Sequence, residues 1–405
     1  MSRGIRGGDR QRSGDQAPWI CFAAQDWWYH NRAHSDFQLM TRLARQRQVL
    51  LVNSIGLRLP TPGRSTQVLR RIARKARSVS KLVRRPIPET PGFIVMTPLV
   101  IPLYQHRRVR MLNAALVRLQ VRLVMALLRI RRPVAFVTIP TAVDVLPGMD
   151  VKAVLYNRSD RHSEFPESDQ ETIAALEADL LRRADRVLYV SHALMAEDLP
   201  AVGARGIFID HGVDLEHFSL RPESEQPAEL RLLPHPRIGF FGGLDDYVVD
   251  IDLLERLAVE IPEAQLVLIG SATCPMDRFE QYPNVHWFGF QPYSDIPRFG
   301  SGFDVAIMPW LDNDWIRLCN PIKLKEYLAL GLPVVSIDYP QLHSYDGLVG
   351  VARGHGEFIA AVRAALQHAG PGTPQQRRNA VLDASWDAVT SRLLMIGEDA
   401  SSSVH

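Results

Sequence analysis

Apolar runs of four to six residues recur along this chain, separated by stretches in which apolar positions return every three or four residues. WICFAA (19–24) and QVLLVN (48–53) are two such runs, and between them Phe37, Met40, Leu43 and Ala44 mark one face of a helix over 34–45. Runs this short, with an amphipathic helix between them, predict buried parallel strands. Further strands are predicted at 93–96, 134–138, 151–156, 186–190 and 206–209, with a helix over 169–183 that faces inward through Leu176, Leu180 and Leu181. The stretch 219–236, SLRPESEQPAELRLLPHP, is polar and proline-rich and reads as a linker. The alternation then restarts, with strands at 237–241, 265–269, 285–288, 305–308 and 333–337 and helices at 252–258 and 321–330. Asp252 and Glu255 form a capping-box pair for the first of these helices. Residues 375–396 read as a final helix. The pattern gives an α/β chain of two Rossmann-like domains, with a ligand cleft outside the carboxyl ends of their strands. The expected division is a disordered N-terminus (1–16), a first domain (17–218), the linker (219–236), a second domain (237–374), and a final helix and tail (375–405).

Composition supports two globular domains: 405 residues, 46% hydrophobic and 22% charged. Cys21, Cys274 and Cys319 lie far apart and form no CxxC pair, which argues against a disulfide scaffold or structural zinc and for a reducing compartment. No apolar run approaches the roughly 18 residues of a membrane span, and residues 1–16 lack the apolar stretch of a signal peptide, so a cytoplasmic-type chain is expected. Charge changes this picture more. The net charge is +3, but residues 1–150 hold 26 Lys and Arg against 7 Asp and Glu, and the remainder holds 21 against 37. Such a field attracts an anionic partner. In QVLRRIARKARSVSKLVRR (67–85), Val68, Ile72, Ala76, Val79 and Val83 recur at helical spacing, and Arg70, Arg71, Arg74 and Lys75 stand among them. This reads as a basic amphipathic helix suited to an anionic membrane surface, the alternative being a solvated helix of a basic domain. The stretch 107–132 mixes Leu, Val and Met with arginine in the same way. Nucleic acid is not expected, because neither stretch carries a nucleic-acid-binding motif.

Candidate chemistry concentrates in the second half. In CNPIKLKEYLALGLPVVSI (319–337), Asn320 can cap a helix whose first position is Pro321, and Gly331 ends it. A helix N-terminus with Lys323 in its first turn offers N–H groups and one positive charge to a phosphate. Glu326, one turn on, can accept hydrogen bonds from a ribose diol. IGFFGGL (238–244) runs a strand into Gly242 and Gly243, where a backbone without side chains can approach a pyrophosphate. Gly289 and Phe290 follow another strand of the same domain, on a loop that could hold a nucleobase. No metal-ligand cluster is apparent, and no cofactor is expected beyond the substrate.

Taken in order, these pieces resemble the C-terminal half of the GT-B glycosyltransferases that use nucleotide-sugars, of the family 1 and 4 kind. The likeness runs from Phe208 to Trp386. It includes IDHGVDLEHF, similar to the hinge segment of these enzymes, then IGFFGGL, AQLVLIG, NVHWFGFQPYSDIP, FDVAIMPW and PIKLKEYLALGLPVVS; the first domain matches more loosely through ADRVLYVSHAL (184–194). The resemblance implies that Glu326 binds the donor ribose, that Lys323 binds the diphosphate, and that the last helix packs back across the first domain from near Trp386. Two departures stand out. The first glutamate of the family's EX7E pair is replaced by Leu318, and the loop after Gly243 carries Asp245 and Asp246 where a basic residue is usual.

For the acceptor side, YNRSDRHSEF (156–165) follows a first-domain strand and gathers Asp160 and His162, candidates to take a proton from an acceptor hydroxyl. An ordinary polar turn is the alternative. Trp27 and Trp28, in the first strand–helix loop, suggest a sugar-stacking or lipid-contacting surface, against simple core aromatics. The expected function is sugar transfer from a nucleotide-sugar to a lipid-linked glycan acceptor in polysaccharide or cell-envelope glycan assembly, on the inner face of the plasma membrane. A GT-B sugar-nucleotide epimerase and a non-catalytic nucleotide-sugar-binding relative are the alternatives.

Overall fold

A strand buried on both faces needs helices on each side, and the short apolar runs meet that need by pairing in parallel. The computed structural model describes residues 17–29, 33–55, 81–101, 107–164 and 169–402. The first domain runs β1 (Trp19–Phe22), α1 (Ser35–Leu43), β2 (Val49–Val52), β3 (Val83–Arg84), β4 (Phe93–Met96), α2 (Arg107–Leu128), β5 (Val134–Val137), β6 (Ala153–Arg158), α3 (Gln170–Arg183), β7 (Arg186–Tyr189), α4 (His192–Val202) and β8 (Gly206–Phe208). Its sheet has the order β3-β4-β2-β1-β5-β6-β7-β8, parallel except for β3. After α5 (Ala228–Arg231), the second domain runs β9 (Arg237–Phe241), α6 (Ile251–Glu260), β10 (Gln265–Ile269), β11 (Val285–Trp287), α7 (Ile296–Gly300), β12 (Val305–Met308), α8 (Asp314–Leu318), α9 (Ile322–Ala329), β13 (Val334–Ile337), β14 (Gly350–Ala352) and α10 (His355–His368). Its six parallel strands are ordered β11-β10-β9-β12-β13-β14. α11 (Pro374–Asn379) and α12 (Trp386–Ser402) end the chain.

Four expectations change on folding. Val83 and Arg84 were read into the basic helix, but they pair with Met96 and Val95 and cover the open edge of β4. Residues 219–236 are not a loose linker, because Leu230 on α5 is fully buried in the second core and Gln226 holds Ser301. Asp250, not Asp252, caps α6 by accepting from Leu253 N at 2.9 Å, while Asp252 and Glu255 both hold Arg278. The final helix is broken after α11, and within α11 the buried Arg377 guanidinium donates to the carbonyls of Gly331, Ala369, Pro371 and Gly372. Gly331 lies at the end of α9 and the other three in the glycine-rich turn before α11; neither has a ladder of its own, so a side chain satisfies them.

By length and apolar content α2 is sufficient to cross a membrane, contrary to the sequence reading, yet it packs on the first sheet through Ala114, Val117, Val121 and Met125. Arg118 ties it down by donating to the carbonyls of Asp144 and Val145.

The chain crosses between the domains twice. Residues 209–218 carry it over, and 384–386 bring it back alongside: Val213 N donates to Ala384 O at 2.8 Å, and Trp386 N to Val213 O at 3.2 Å. Trp386 lies so close to Gly212 that a Cβ there would stand 2.6 Å from the indole. α12 then packs on α1 and β6 of the first domain, burying Trp386, Val389 and Leu393 against Trp19, Phe37 and Leu43. Arg42 on α1 bridges both crossings, at 2.7 Å to Asp214 and 3.3 Å to Asp387. Replacing Trp386 with alanine should cost about 3–5 kcal/mol, the range for a buried tryptophan. Urea denaturation followed by circular dichroism checks this, and a loss below 1 kcal/mol would mean that the crossover is held elsewhere.

Candidate functional site

The two sheets face each other across the carboxyl ends of their strands, and the loops there build the cleft. β9 ends at Phe241, whose N–H donates to the Tyr327 hydroxyl of α9 at 2.9 Å. That bond fixes α9 against the turn that follows. At Gly242 (φ 150°) the chain turns so tightly that a Cβ would lie 2.5 Å from Lys323 Nζ. Gly270 (φ 140°), at the end of β10, sits against the same turn, and a Cβ there would be 1.7 Å from Gly242 O. Neither position admits another residue without moving the loop. Glycine here is a condition for bringing the amine of Lys323 to the backbone.

Lys323 Nζ stands 4.6 Å from the Trp310 ring centroid and 5.1 Å from that of Phe240. Burial pulls its pKa down to about 8, against the charges of Glu326, Cys319 and Asp245. Glu326 is buried beside it, and burial pushes its carboxyl up to about 8 against the pull of Lys323. Among the described residues, the Glu326 carboxyl has no hydrogen-bond or ion-pair partner. A buried carboxyl without a hydrogen-bond partner, set beside a buried amine, is poised to take polar ligand groups. Of the acidic loop, Asp246 is exposed, while Asp245 lies close enough to help hold the Lys323 charge.

The first domain meets this helix end with Asp160. Burial pushes the Asp160 carboxyl up, against His162, Ser159 and Arg158. Asp160 is near enough to Cys319, just before α9, for its charge to add to the burial that raises that thiol. Asp160 and Lys323 thus approach one helix terminus from opposite domains. His162 does not join them in the cleft. It is buried, its backbone N donates to Glu177 at 2.9 Å, and its Nδ1 lies 3.4 Å from the same oxygen. Behind it, the buried Arg158 pairs with Glu177 and with Asp198 at 3.1 Å, and Tyr189 donates to Asp198.

Asn320 is no cap. Its amide donates to Val190 O at 2.8 Å and Asp210 Oδ1 at 2.7 Å, and Lys325 reaches the same Asp210 oxygen at 2.8 Å. Burial would raise Asp210, but the Lys325 ammonium and these hydrogen bonds outweigh it and hold the carboxyl below its usual range. The sequence reading missed this tie between the domains; an acid immediately before the HGVD hinge gives no spacing signal. Leu318 packs on the first-domain core, so the position of the missing glutamate closes the domain contact. Gly289 receives Gly270 N at 2.8 Å, and Phe290 and Trp287 are exposed on the adjoining loop. Two expectations fail outright. Trp27 is buried against Phe37 and Phe93, and Trp28 is half-buried, donating to Thr97 under the Lys81 ammonium. Both pack the β1–α1 loop onto the sheet. Arg70, Arg71, Arg74 and Lys75 lie outside the described residues.

A groove of about 360 Å³ lined by Trp19, Val134 and Ser401 opens at the opposite, amino ends of β1 and β5, away from all of these groups.

Residues 235–368 match the family model of glycosyl transferases group 1. Over this domain, the chain is similar to the group 1 glycosyl transferases. It is 26% identical over 254 residues to a putative teichuronic acid biosynthesis glycosyltransferase, TuaH, of Bacillus subtilis (strain 168). That match spans 60% of this chain and 63% of the relative. The sucrose-phosphate synthase of Thermosynechococcus elongatus superposes with a TM-score of 0.72 at 16% identity, over 96% of this chain and 100% of its own. Anabaena HepE in complex with UDP and glucose does so with a TM-score of 0.62 at 14% identity, over 96% and 99%. The chain therefore has the GT-B fold, with the group 1 domain carrying Gly242, Lys323 and Glu326.

An anion bound at this group 1 glycine turn favours the charged form of Lys323, which exists below about pH 8. Pyrophosphate affinity should therefore fall as pH rises through 8, by up to roughly tenfold per unit, with proton uptake on binding. Calorimetry in buffers of different ionisation enthalpy measures it. Lys323→Arg should flatten this dependence, leaving the part due to Glu326, whose carboxyl also titrates near 8, and an unchanged profile would take Lys323 out of the site.

Proposed function

We propose that this protein transfers a sugar from a nucleotide-sugar to a lipid-linked glycan acceptor during cell-envelope polysaccharide assembly, on the inner face of the plasma membrane. The observation that carries the transfer reaction is the convergence of Lys323 and Glu326 beneath the Gly242 turn with Asp160 opposite. In this reading the donor diphosphate lies at the α9 N-terminus beside Lys323. The ribose diol donates to Glu326, and the base lies toward Gly289 and Phe290. Glycosyl transfer forms a bond from the sugar's anomeric carbon to the acceptor oxygen and breaks its bond to the diphosphate. Asp160 takes the acceptor's proton, and Lys323 with the α9 N–H groups holds the charge that develops on the leaving diphosphate. The raised pKa of Asp160 suits a base that must accept a proton near neutrality. UDP is the nucleotide to test first, since HepE binds it. The membrane-borne glycan acceptor is supported by the basic charge of the first domain and by the teichuronic acid biosynthesis in which the TuaH relative is named.

Glu326→Gln should weaken UDP binding by about 1–3 kcal/mol, the loss of charge-assisted hydrogen bonds. Calorimetric titration of both proteins decides it, and equal affinities would place the ribose elsewhere. Asp160→Asn should lower turnover by roughly 10²-fold while UDP affinity holds. Turnover is measured with UDP-glucose and a lipid-linked glycan fraction from membranes. Near-normal turnover in the variant would mean that Asp160 is not the base.

A further inference from the structure

The face of α2 turned away from the first sheet is apolar, and among the described residues nothing covers it. Met111, Leu112, Leu119, Leu123 and Leu127 are each more than half exposed, Leu127 at 83%. At 100° per residue they fall, with Ala115 and Ala126, within one arc of roughly 160°. Leu99 extends the patch, because its backbone N and O are both held by Gln120 on the same helix, at 2.9 and 3.0 Å. The buried positions Ala114, Val117, Val121 and Met125 fill the opposite arc, so the helix is anchored to the domain by one side while the other stays open.

Charge selects the occupant. Arg108 and Arg122 stand exposed within the apolar arc, Arg129 and Arg131 follow its end, and no acidic residue occurs between Glu89 and Asp144. A second copy of this face would set arginine against arginine, and a neutral apolar partner would leave the guanidinium groups without counter-charges. A bilayer rich in anionic lipid takes both components, leucines at the acyl boundary and arginines at the phosphates. We infer that the outward face of α2 docks this protein on an anionic membrane surface, lying in the interface and not spanning it. The inference stands apart from the proposed reaction, and its test needs no turnover.

The test is co-sedimentation with vesicles of phosphatidylcholine containing about 30% phosphatidylglycerol, beside vesicles of phosphatidylcholine alone. Wild type should pellet with the anionic vesicles and remain soluble with the neutral ones. The triple variant Leu112→Gln, Leu119→Gln, Leu123→Gln should lose about tenfold or more in vesicle affinity. Its thermal midpoint and pyrophosphate affinity should match wild type, because the three side chains are exposed and the anion site is in the other domain. The inference is overturned if the triple variant pellets like wild type or if wild type pellets with neither vesicle. It is also overturned if light scattering finds a dimer that the three substitutions dissolve while vesicle binding is absent.

Discussion

Two parallel sheets set with their carboxyl ends facing one another cannot be held there by a single flexible crossing. Trp386 supplies the second hold. It lies on Gly212 in the outgoing segment, its N–H bonds Val213, and from it α12 lays a further apolar face on α1 and β6. Burial of this kind resists rotation of one domain on the other, because any large movement exposes the indole and the leucines behind it. Arg42 adds direction to what burial leaves unspecified, joining Asp214 of one crossing to Asp387 of the other. Nearer the cleft, Asp210 receives Asn320 and Lys325 from the second domain. The distance between Asp160 and the α9 terminus follows from these contacts.

The cleft itself is built from unfavourable parts. An amine and a carboxyl, both buried and both displaced toward neutrality, are set beneath a turn that tolerates only glycine. Such a cluster contributes little to stability, since desolvation opposes most of the attraction between the two charges. In the proposed reading it gains its partners when a ligand with a diphosphate and a diol enters, the arrangement expected of a site that binds one kind of molecule. The surrounding structure holds it in place: Tyr327 fixes α9 to the end of β9, and Trp310 and Phe240 flank the ammonium.

The first domain differs in character. Between Asp36 and Asp144 its sequence holds 21 Lys and Arg against the single acid Glu89, and the longest of its described helices presents leucine and arginine together to the outside. In the proposed reading, donor chemistry and surface chemistry are thus divided between the domains, with the cleft as the place where they meet.

Much of the fold was legible in the sequence. The strands 19–22, 237–241 and 305–308 are continuous apolar runs, and burial on both faces leaves no other reading of them. The gathering of Lys323, Glu326 and Gly242 was legible too, because a proline-led helix start and a glycine turn are local patterns. What the sequence left open depends on contacts between distant residues. Asn320 could cap a helix or cross the cleft, and the carbonyl of Val190, 130 positions away, decided it. Trp27 looked like a loop aromatic until Phe93 packed against it, and His162 looked catalytic until Glu177 enclosed it. Local pattern fixes which groups are present and which way an element begins. Whether a polar group meets water, a substrate or a buried partner is set by the free energy of its surroundings, and those surroundings exist only once the chain has folded.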